Sequence, residues 1–306
     1  MRVLVTGGAG FIGSHVVDAL VKAGHSVAVV DDLSKGSETN INREARFYRL
    51  DICSSSLAEV FESEKPEIVN HHAARTSVNH SLADPIDDAR VNILGSLNLL
   101  QNCVKAGVKQ VVYASTGGAL YGEPQYLPCD EAHPINPLSP YGASKHTVEK
   151  YLNVYRANCD LQYTVLRYPN VYGPRQSSHA EGGVVAIFAE HMAKREPILI
   201  YGNGRQERDF VYVEDVARAN LLAIGRGIGN AYNLGSGGSI SVNELFREMR
   251  SLAHYENDAQ YAPARGGEVF KIYLATNRIR DDLGWFPRVS LGEGIRKTLD
   301  FYDRRR

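Results

Sequence analysis

A glycine-rich turn near the start of the chain is the feature that most restricts its fold. The turn, Gly7 to Gly13, joins an apolar run at residues 2–5 to an amphipathic stretch at residues 11–23. Glycine permits positive φ and close approach of the backbone to a pyrophosphate, and a helix N-terminus offers free N–H groups and a positive dipole end. The turn therefore predicts a dinucleotide site. Its predicted contacts are Gly7, Gly10, Phe11, Ile12 and Gly13.

The first half of the chain alternates short apolar runs with amphipathic segments, which is typical of a parallel sheet covered by helices. Strands are predicted at residues 2–5, 25–30, 46–50, 67–71, 110–114 and 163–167, and helices at 11–23, 85–106 and 140–158. Beyond residue 170, glycines separate shorter elements. We therefore expect an α/β protein. A Rossmann-type doubly wound parallel sheet would occupy residues 1–170, and a smaller substrate-binding α/β domain, interleaved with it, residues 171–306.

Composition excludes several classes of partner. The formal net charge is -1, so there is no electrostatic reason to expect nucleic acid or an anionic membrane. No apolar run approaches the ~20 residues of a membrane span, and no signal peptide precedes the first strand. We expect a cytoplasmic protein with reduced thiols and no metal site, because the cysteines have no metal-binding or redox spacing. They are Cys53, Cys103, Cys129 and Cys159.

An acidic residue ends the second predicted strand. Asp31 lies about 20 residues after the glycine turn, where a carboxylate accepts hydrogen bonds from ribose hydroxyls and repels a 2′-phosphate. This position favours NAD over NADP, although the nearby Lys35 could offset the repulsion. Asp51 and Ile52, after the third strand, are predicted to reach the adenine; the alternative is a simple loop or a helix cap.

A tyrosine and a lysine are four residues apart on the predicted helix at 140–158. Tyr141 and Lys145 therefore share one helix face. A lysine beside a phenol is expected to lower the phenol pKa by stabilising the phenolate. Such a tyrosine can take a proton from a hydroxyl while a hydride leaves the same carbon. Because the spacing alone is common, an ordinary exposed helix is the alternative.

Hydroxyl groups follow the predicted strand at 110–114. The carboxyl ends of strands in a doubly wound sheet face the ligand cleft, so Ser115 and Thr116 are candidates to bind a substrate oxygen and align it with Tyr141. A turn residue is the alternative for Thr116 taken alone. His71 and His72 end another strand and could contact a nicotinamide through the backbone. No third ligand is spaced to complete a metal site with them.

Together these motifs resemble the extended short-chain dehydrogenase/reductase family. The resemblance rests on the glycine turn, Ser115-Thr116, Tyr141-x-x-x-Lys145 and Asn92 in the long helix. It covers the whole chain, because residues 167–175, 204–216 and 263–268 are similar to the family's sugar-nucleotide motifs. Within the family, residues 115–122 are most similar to UDP-glucose 4-epimerases.

The resemblance implies roles for individual residues. Thr116, Tyr141 and Lys145 would be catalytic, and Tyr141 and Lys145 would also contact NAD. In the second half, Asn170 would contact the phosphates of a UDP-hexose, Arg208 and Arg265 would clamp its diphosphate, and Glu268 would hold the uridine ribose; Ser115 would also touch the substrate. Forked guanidinium groups suit a diphosphate on physical grounds as well, while a surface ion pair is the alternative for either arginine.

The residues after Thr116 narrow the expected reaction. Dehydratases of this family have an acidic pair there, whereas this chain has Gly117 and Gly118, so 4-epimerisation of UDP-galactose to UDP-glucose with a resident NAD is expected. The sugar stays open. The resemblance places Ile272, with Tyr273 beside it, next to the sugar, and a tyrosine there would exclude N-acetyl sugars.

Several alternatives remain. The substrate could be a UDP-N-acetylhexosamine or UDP-glucuronate, or the chain could be another nucleotide-sugar oxidoreductase or decarboxylase. A non-enzymatic dinucleotide-sensing scaffold is a further alternative, but it predicts erosion of the tyrosine, lysine or threonine, and all three are intact. The resemblance also implies a homodimer formed through the helices at 85–106 and 140–158.

Overall fold

The computed structural model describes residues 1–178, 182–264 and 269–304. Its strands are β1 (Arg2–Thr6), β2 (Ser26–Asp31), β3 (Arg46–Arg49), β4 (Ile68–His71), β5 (Gln110–Thr116), β6 (Gln162–Tyr168), β7 (Asn170–Tyr172), β8 (Leu199–Tyr201), β9 (Glu207–Arg208), β10 (Phe210–Tyr212), β11 (Asn230–Asn233), β12 (Ile240–Ser241), β13 (Gln260–Ala262) and β14 (Lys271–Ile272).

The α-helices are α1 (Phe11–Lys22), α2 (Leu57–Glu64), α3 (Val78–Ala83), α4 (Pro85–Ala89), α5 (Ser96–Ala106), α6 (Pro140–Cys159), α7 (Val184–Lys194), α8 (Val213–Ala223), α9 (Val242–Leu252), α10 (Asn277–Leu283) and α11 (Leu291–Asp303). A π-helical turn, Arg90–Gly95, joins α4 to α5, and a 3₁₀ turn is formed by Glu38–Asn40.

The main sheet has seven strands in the order β11-β6-β5-β4-β1-β2-β3, and every neighbouring pair is parallel. This confirms the predicted Rossmann-type doubly wound sheet. The strand order reverses between β1 and β4, and open α/β sheets bind ligands at the carboxyl ends of the strands flanking such a switch point. The glycine turn follows β1, so it lies at this edge.

The second half of the chain adds to the sheet and also builds its own small sheets. Strand β11 pairs with β6, and α8 packs on α1 through Ala217 and Leu221 against the cluster that contains Val16 and Val17. The small sheets pair β7 with β10, β8 with β13, and β9 with both β12 and β14. A large apolar cluster joins β5 and β6 to α7, α8, α9 and α11. We propose that the chain divides at residue 170 into two interleaved units, residues 1–170 and 171–306.

Two elements differ from the sequence-based expectations. The helix expected at 85–106 is interrupted by the π-helical turn, where Gly95 lets the backbone approach Ile52: a Cβ at Gly95 would lie 2.8 Å from Ile52 Cδ1. Strand β5 runs to Thr116 instead of ending at residue 114, because Ser115 and Thr116 continue the pairing with β6. Both residues therefore belong to the strand end. In the residues that the structure describes, we find no helix long and apolar enough to span a membrane.

Candidate active site

The glycine turn is so tight that side chains are excluded at two positions. Gly7 has φ +69°, its N–H donates to Val30 O at 2.8 Å, and an added Cβ would lie 2.6 Å from the backbone nitrogen of Ala73. A Cβ at Gly13 would lie 2.1 Å from Gly7 O. The first turn of α1 is therefore in direct contact with the loop, and the backbone forms the surface that a ligand meets.

The N-terminus of α1 is open toward this turn. Gly10 is the N-cap and supplies no side-chain cap, and the helix then begins with Phe11 and Ile12. The first N–H groups of a helix have no intrahelical partner, and the helix dipole places positive charge there. A bare glycine cradle with free donors fits the diphosphate of a dinucleotide such as NAD.

Replacement of Gly13 by alanine tests whether this close packing holds the dinucleotide. The new Cβ would overlap a backbone oxygen, so we expect Gly13→Ala to lower the free energy of unfolding by about 1–3 kcal/mol and to lose bound nucleotide. Chemical denaturation and the nucleotide content of the purified protein measure both effects. Gly238→Ala is the matched control, because a Cβ at Gly238 meets no atom within 4 Å. Nucleotide retention in Gly13→Ala equal to that control would contradict the expectation.

Asp31 lies at the end of β2 and borders the glycine turn. Its carboxylate accepts hydrogen bonds from the N–H groups of Ala9 at 3.0 Å and Leu33 at 2.8 Å. Burial raises the pKa of Asp31, and these two hydrogen bonds oppose the shift. The Gly10 N–H also acts on this carboxylate, and a carboxylate has about four acceptor positions, so acceptor capacity remains for a ribose hydroxyl. Lys35, the residue that left doubt about NADP, is exposed.

Asp51 and Ile52 serve the protein's own packing in this structure. Asp51 Oδ1 accepts a hydrogen bond from Cys53 N at 2.8 Å, and Asp51 Oδ2 lies 3.5 Å from Arg90 Nη1. The Ile52 side chain is buried in the core, and its carbonyl accepts from Asn98 Nδ2 at 2.7 Å. Contact with an adenine stays a prediction for both residues.

Helix α6 brings Tyr141 and Lys145 to the end of β5. The helix begins with Pro140 after the N-cap Ser139, whose hydroxyl accepts from Gly142 N at 3.2 Å. Lys145 Nζ donates to the carbonyl of Ala114 at 2.9 Å and lies 4.9 Å from the centre of the Tyr113 ring. The lysine is therefore fixed against the strand that ends in Thr116.

The hydroxyl groups of Thr116 and Tyr141 lie close together. The Thr116 hydroxyl is near enough to the Tyr141 phenol to act on its pKa, and Thr116 Oγ1 also accepts from Ala119 N at 3.2 Å. The three residues predicted to be catalytic are thus brought together at the carboxyl edge of the sheet. A substrate hydroxyl placed between Thr116 and Tyr141 would meet a donor and a proton acceptor at the same point.

The pKa values of the pair differ from the sequence-based expectation. Burial raises the pKa of Tyr141 to about 12, and the Thr116 hydrogen bond only partly opposes it. Burial also lowers the pKa of Lys145 to about 8, against the charges of Asp88 and Glu149. The expected lowering of the phenol pKa by Lys145 was therefore wrong for the protein alone, because desolvation outweighs any charge effect on the phenol.

Ser115 faces a buried ion pair that sequence analysis did not find. Its hydroxyl donates to Glu149 Oε1 at 2.6 Å, and Arg167 holds the same carboxylate with bonds of 3.1 Å from Nε and 2.7 Å from Nη2. Arg167 Nη1 also donates to Tyr121 OH at 2.9 Å. The Ser115 hydroxyl therefore already donates its proton to a hydrogen bond inside the protein. A contact between Ser115 and the substrate stays a prediction. The helical spacing of Lys145 and Glu149 was the one available sequence signal.

The two histidines at the end of β4 are held by hydroxyl groups. His71 lies between Thr6 Oγ1 at 2.7 Å and Ser96 Oγ at 2.9 Å, and His72 Nε2 lies 3.0 Å from Tyr168 OH. Burial lowers the pKa of both, to about 3 for His72, so both rings are neutral at pH 7. Across the described residues no three His, Cys, Asp or Glu side chains are grouped to hold a metal.

The predicted sugar-nucleotide residues lie on the second half of the molecule. Asn170 N donates to Asp209 O at 3.0 Å, and Arg208 Nη1 donates to the carbonyl of Glu207 at 2.9 Å. Ile272 pairs with Arg208 across the small sheet. Arg265 and Glu268 fall outside the described residues. A small depression collects the residues near Asn170; it is lined by Gly117, Gly118, Pro169, Asn170, Asp209, Ile272, Tyr273 and Leu274.

Asp209 is a buried carboxylate in this depression that sequence analysis also missed. Its oxygens accept from Ser236 N at 2.8 Å, Ser236 Oγ at 2.7 Å and Leu274 N at 3.2 Å. Burial raises its pKa to about 6, and these hydrogen bonds oppose the shift. Since its acceptors are used inside the protein, Asp209 joins the loop at 235–236 to the segment after β14. This brings Tyr273 and Leu274 next to Gly117.

Comparison with known proteins agrees with this geometry. Residues 3–235 match the model of the NAD dependent epimerase/dehydratase family. The chain is 44% identical to a putative UDP-glucose 4-epimerase of Methanocaldococcus jannaschii, over 98% of this chain and 97% of that protein.

Two solved structures are similar over almost their whole length. The UDP-glucose 4-epimerase of Thermotoga maritima, crystallised with UDP-glucose, is 46% identical with a TM-score of 0.98, covering 100% of this chain and 99% of that one. The Thermus thermophilus UDP-glucose 4-epimerase, in complex with NAD, is 43% identical with a TM-score of 0.93, covering 99% of both chains. From the fold, the site and these matches, this chain belongs to the NAD dependent epimerase/dehydratase family.

Proposed function

We propose that this chain is a UDP-hexose 4-epimerase that interconverts UDP-galactose and UDP-glucose with tightly bound NAD. The observation that supports it best is the group of Thr116, Tyr141 and Lys145 at the switch point of the sheet, beside a glycine cradle that fits a dinucleotide. The relatives described above are epimerases by name, and two of them were crystallised with UDP-glucose or with NAD.

The residues divide the chemistry between them. Thr116 holds the C4 hydroxyl by a hydrogen bond, and Tyr141 takes its proton as general base. Lys145 supplies a positive charge that would offset part of the cost of forming a buried phenolate. The glycine turn and Asp31 would hold NAD, which would supply the hydride acceptor. For epimerisation the 4-keto sugar would rotate within the site, so that hydride would add to the opposite face of C4 while Tyr141 returns the proton to the C4 oxygen.

The two glycines after Thr116 favour epimerisation over dehydration. Elimination of water needs an acid and a base beside the sugar ring, and glycine supplies neither. A side chain at Gly117 would also meet Leu274, since its Cβ would lie 2.3 Å from Leu274 Cδ1. For dehydration, this chain would therefore need an acid and a base in place of Gly117 and Gly118, and a different path for the segment at Leu274.

Recognition of the nucleotide sugar is proposed for Asn170, Arg208, Arg265 and Glu268, with the diphosphate between the arginines. Ile272 is buried beside the depression, whereas Tyr273 is partly exposed there. Neither position decides between a hexose and an N-acetylhexosamine, so UDP-N-acetylhexosamine and UDP-glucuronate are the second candidate substrates. A dinucleotide-sensing scaffold is less favoured, because Thr116, Tyr141 and Lys145 are assembled as an acid–base site. A decarboxylase or another oxidoreductase of the family would use the same Tyr141 and Lys145, so the assay of products separates it from an epimerase.

We expect the purified protein to contain NAD and to convert UDP-galactose to UDP-glucose with no added cofactor. An epimerase has no net redox change, and release of the reduced cofactor would strand the ketone. Heat extraction followed by mass spectrometry measures the bound nucleotide, and NMR of the sugar products measures conversion. The same assay with UDP-N-acetylgalactosamine and UDP-glucuronate ranks the alternative substrates.

Three results would contradict this proposal. Protein without any nicotinamide after heat extraction would remove the resident cofactor. Conversion that requires added NAD in stoichiometric amounts would indicate a net oxidoreductase. Release of carbon dioxide from UDP-glucuronate would indicate a decarboxylase.

We also propose a cytoplasmic homodimer that pairs through α4, the π-helical turn, α5 and α6. Apolar side chains exposed on these helices support it: the exposed fraction is 79% for Ile86, 60% for Leu94 and 50% for Val154. Large exposed apolar side chains on neighbouring helices are typical of protein–protein contacts. No nucleic acid or membrane partner is proposed.

A further inference from the structure

Lys145 is a buried cation that forms no direct ion pair with any residue that the structure describes. Only 4% of its surface is exposed, and it donates a hydrogen bond to the carbonyl of Ala114. Burial lowers its pKa to about 8, close enough to neutrality that the charge of Lys145 depends on its neighbours. The proposed mechanism needs this residue protonated, so a nearby negative charge has a functional consequence.

Asp88, on α4, is a buried carboxylate with an unused oxygen. Only 1% of its surface is exposed. Its Oδ1 accepts a hydrogen bond from Asn92 Nδ2 at 2.9 Å, whereas Oδ2 is buried and has no hydrogen-bond partner within the described part of the chain. Taking an ionised carboxylate out of water costs several kcal/mol unless an opposite charge compensates it. The burial of Asp88 therefore indicates that a nearby positive charge compensates its carboxylate.

A hydrogen-bonded chain connects Asp88 to the catalytic helix. The same Asn92 Nδ2 lies 3.2 Å from Ser144 Oγ, and Ser144 Oγ donates to the carbonyl of Tyr141 at 3.0 Å. Asp88 thus faces the first turns of α6, next to the residue before Lys145. Burial raises the pKa of Asp88, and the Ser144 hydroxyl and then the Lys145 charge oppose that shift. The Asp88 charge in turn opposes the burial that lowers the pKa of Lys145.

The other charged and titratable groups near this pair do not replace Asp88. Glu149 also faces Lys145, but Arg167 neutralises it through two hydrogen bonds. Asp87 is paired with Arg75, His80 and Arg90 on the outer side of α4. Four of the remaining groups are neutral at pH 7: Tyr113, Tyr141, His71 and His72. The fifth, His80, lies near Asp88 rather than Lys145.

We propose that Asp88 is a positioning residue that acts as the counter-charge of Lys145, keeping the ammonium protonated while the Asn92 and Ser144 bridge holds α4 against α6. The proposal deepens the proposed function, since the purpose of a protonated Lys145 rests on it. The electrostatic pairing itself can be measured without turnover. Asp88 is buried on α4, so we place its effect on the reaction in the charge of Lys145.

The decisive experiment follows the Lys145 side chain by NMR during a pH titration of the NAD-loaded protein. Lysine labelled at Cε gives one resonance per lysine, and the Lys145→Met variant identifies the one from Lys145. In Asp88→Asn, which keeps the shape and the Oδ1 acceptor, the Lys145 pKa is expected to fall by about one pH unit, as for removal of a nearby opposite charge. Asp300→Asn, an exposed carboxylate on α11, is the matched control and leaves it unchanged.

The interaction must also be measurable as a change in the pKa of Asp88. Removal of the lysine charge in Lys145→Met is expected to raise the pKa of Asp88, measured on its labelled carboxyl carbon, because the interaction is mutual. This second measurement applies even where Asp88→Asn folds poorly. Equal pKa values for Lys145 with and without the Asp88 charge, or for Asp88 with and without the Lys145 charge, would overturn the proposal.

The pH profile of kcat/KM separates this role from a merely structural one. In Asp88→Asn the alkaline limb of the profile is expected to move to lower pH by the same amount as the Lys145 pKa. A loss of activity that is uniform in pH, with an unchanged Lys145 pKa, would indicate a structural role and overturn the proposal. If the wild-type protein had no epimerase activity, the proposed function would fail, while the NMR titrations would still test the pairing.

Discussion

Replacement of Tyr141 by phenylalanine is expected to lower kcat for epimerisation by about 10²- to 10⁴-fold, the usual contribution of a positioned general base. Phenylalanine keeps the ring on α6 and removes only the hydroxyl that meets Thr116. Binding of the nucleotide sugar should change much less than kcat, because the proposed diphosphate contacts come from other residues. Bound NAD should remain.

The control for this prediction is on the same helix. Tyr151→Phe removes a phenol from α6 ten residues further along, away from Thr116, and should leave kcat unchanged. Steady-state rates with UDP-galactose and NAD content are measured for both variants and for the wild type. Equal turnover in Tyr141→Phe and Tyr151→Phe would remove Tyr141 from the mechanism. Loss of NAD in Tyr141→Phe alone would assign its role to cofactor binding.

Replacement of Arg167 by methionine is expected to lower the free energy of unfolding by about 3–5 kcal/mol, because it leaves the Glu149 charge buried without its partner. Arg167 is 5% exposed and Glu149 is 8% exposed, so little water can replace the lost bonds. The variant also removes the donor to Tyr121 OH. Urea denaturation measures the change.

Two further variants show that the effect comes from the buried pair. Arg46→Met breaks the pair between Arg46 and Glu64 and should change stability much less, because the Arg46 side chain is 73% exposed and its charge interaction is screened by water. The double variant Glu149→Gln with Arg167→Met removes the stranded charge and should recover part of the loss. A single Arg167→Met variant as stable as Arg46→Met would contradict the argument.

The same pair predicts how stability depends on pH. Burial favours the neutral form of Glu149, but His146 at 3.7 Å, the Arg167 charge and hydrogen bonds, and the Ser115 hydrogen bond hold its pKa at about 2, compared with 4.5 for a free glutamate. A carboxyl group with a lowered folded-state pKa contributes stability that is fully present above the unfolded pKa. The contribution is therefore lost as the pH falls from about 4.5 toward 2. Glu149→Gln should flatten the acid limb of the stability curve.

Local patterns in the sequence were sufficient for the fold and for the positions of the reacting groups. The turn from Gly7 to Gly13 combines positive φ with contacts that admit no Cβ, which is a requirement on residue type and so is visible without coordinates. The apolar runs predicted the strands of the parallel sheet, and the spacing of Tyr141 and Lys145 placed them on one helix face. These features depend on neighbours within a few residues.

Only the tertiary structure decided the contacts between residues that are far apart in the chain. Ser115 is committed to Glu149, 34 positions away, and Asn92 reaches Ser144 across 52 positions. The direction of the Tyr141 pKa shift was also decided there, because desolvation depends on everything packed around a group. The sequence alone determined that a dinucleotide cradle and an acid–base pair share one sheet edge. The packing determined which charges, Asp88 and Glu149 among them, surround that pair.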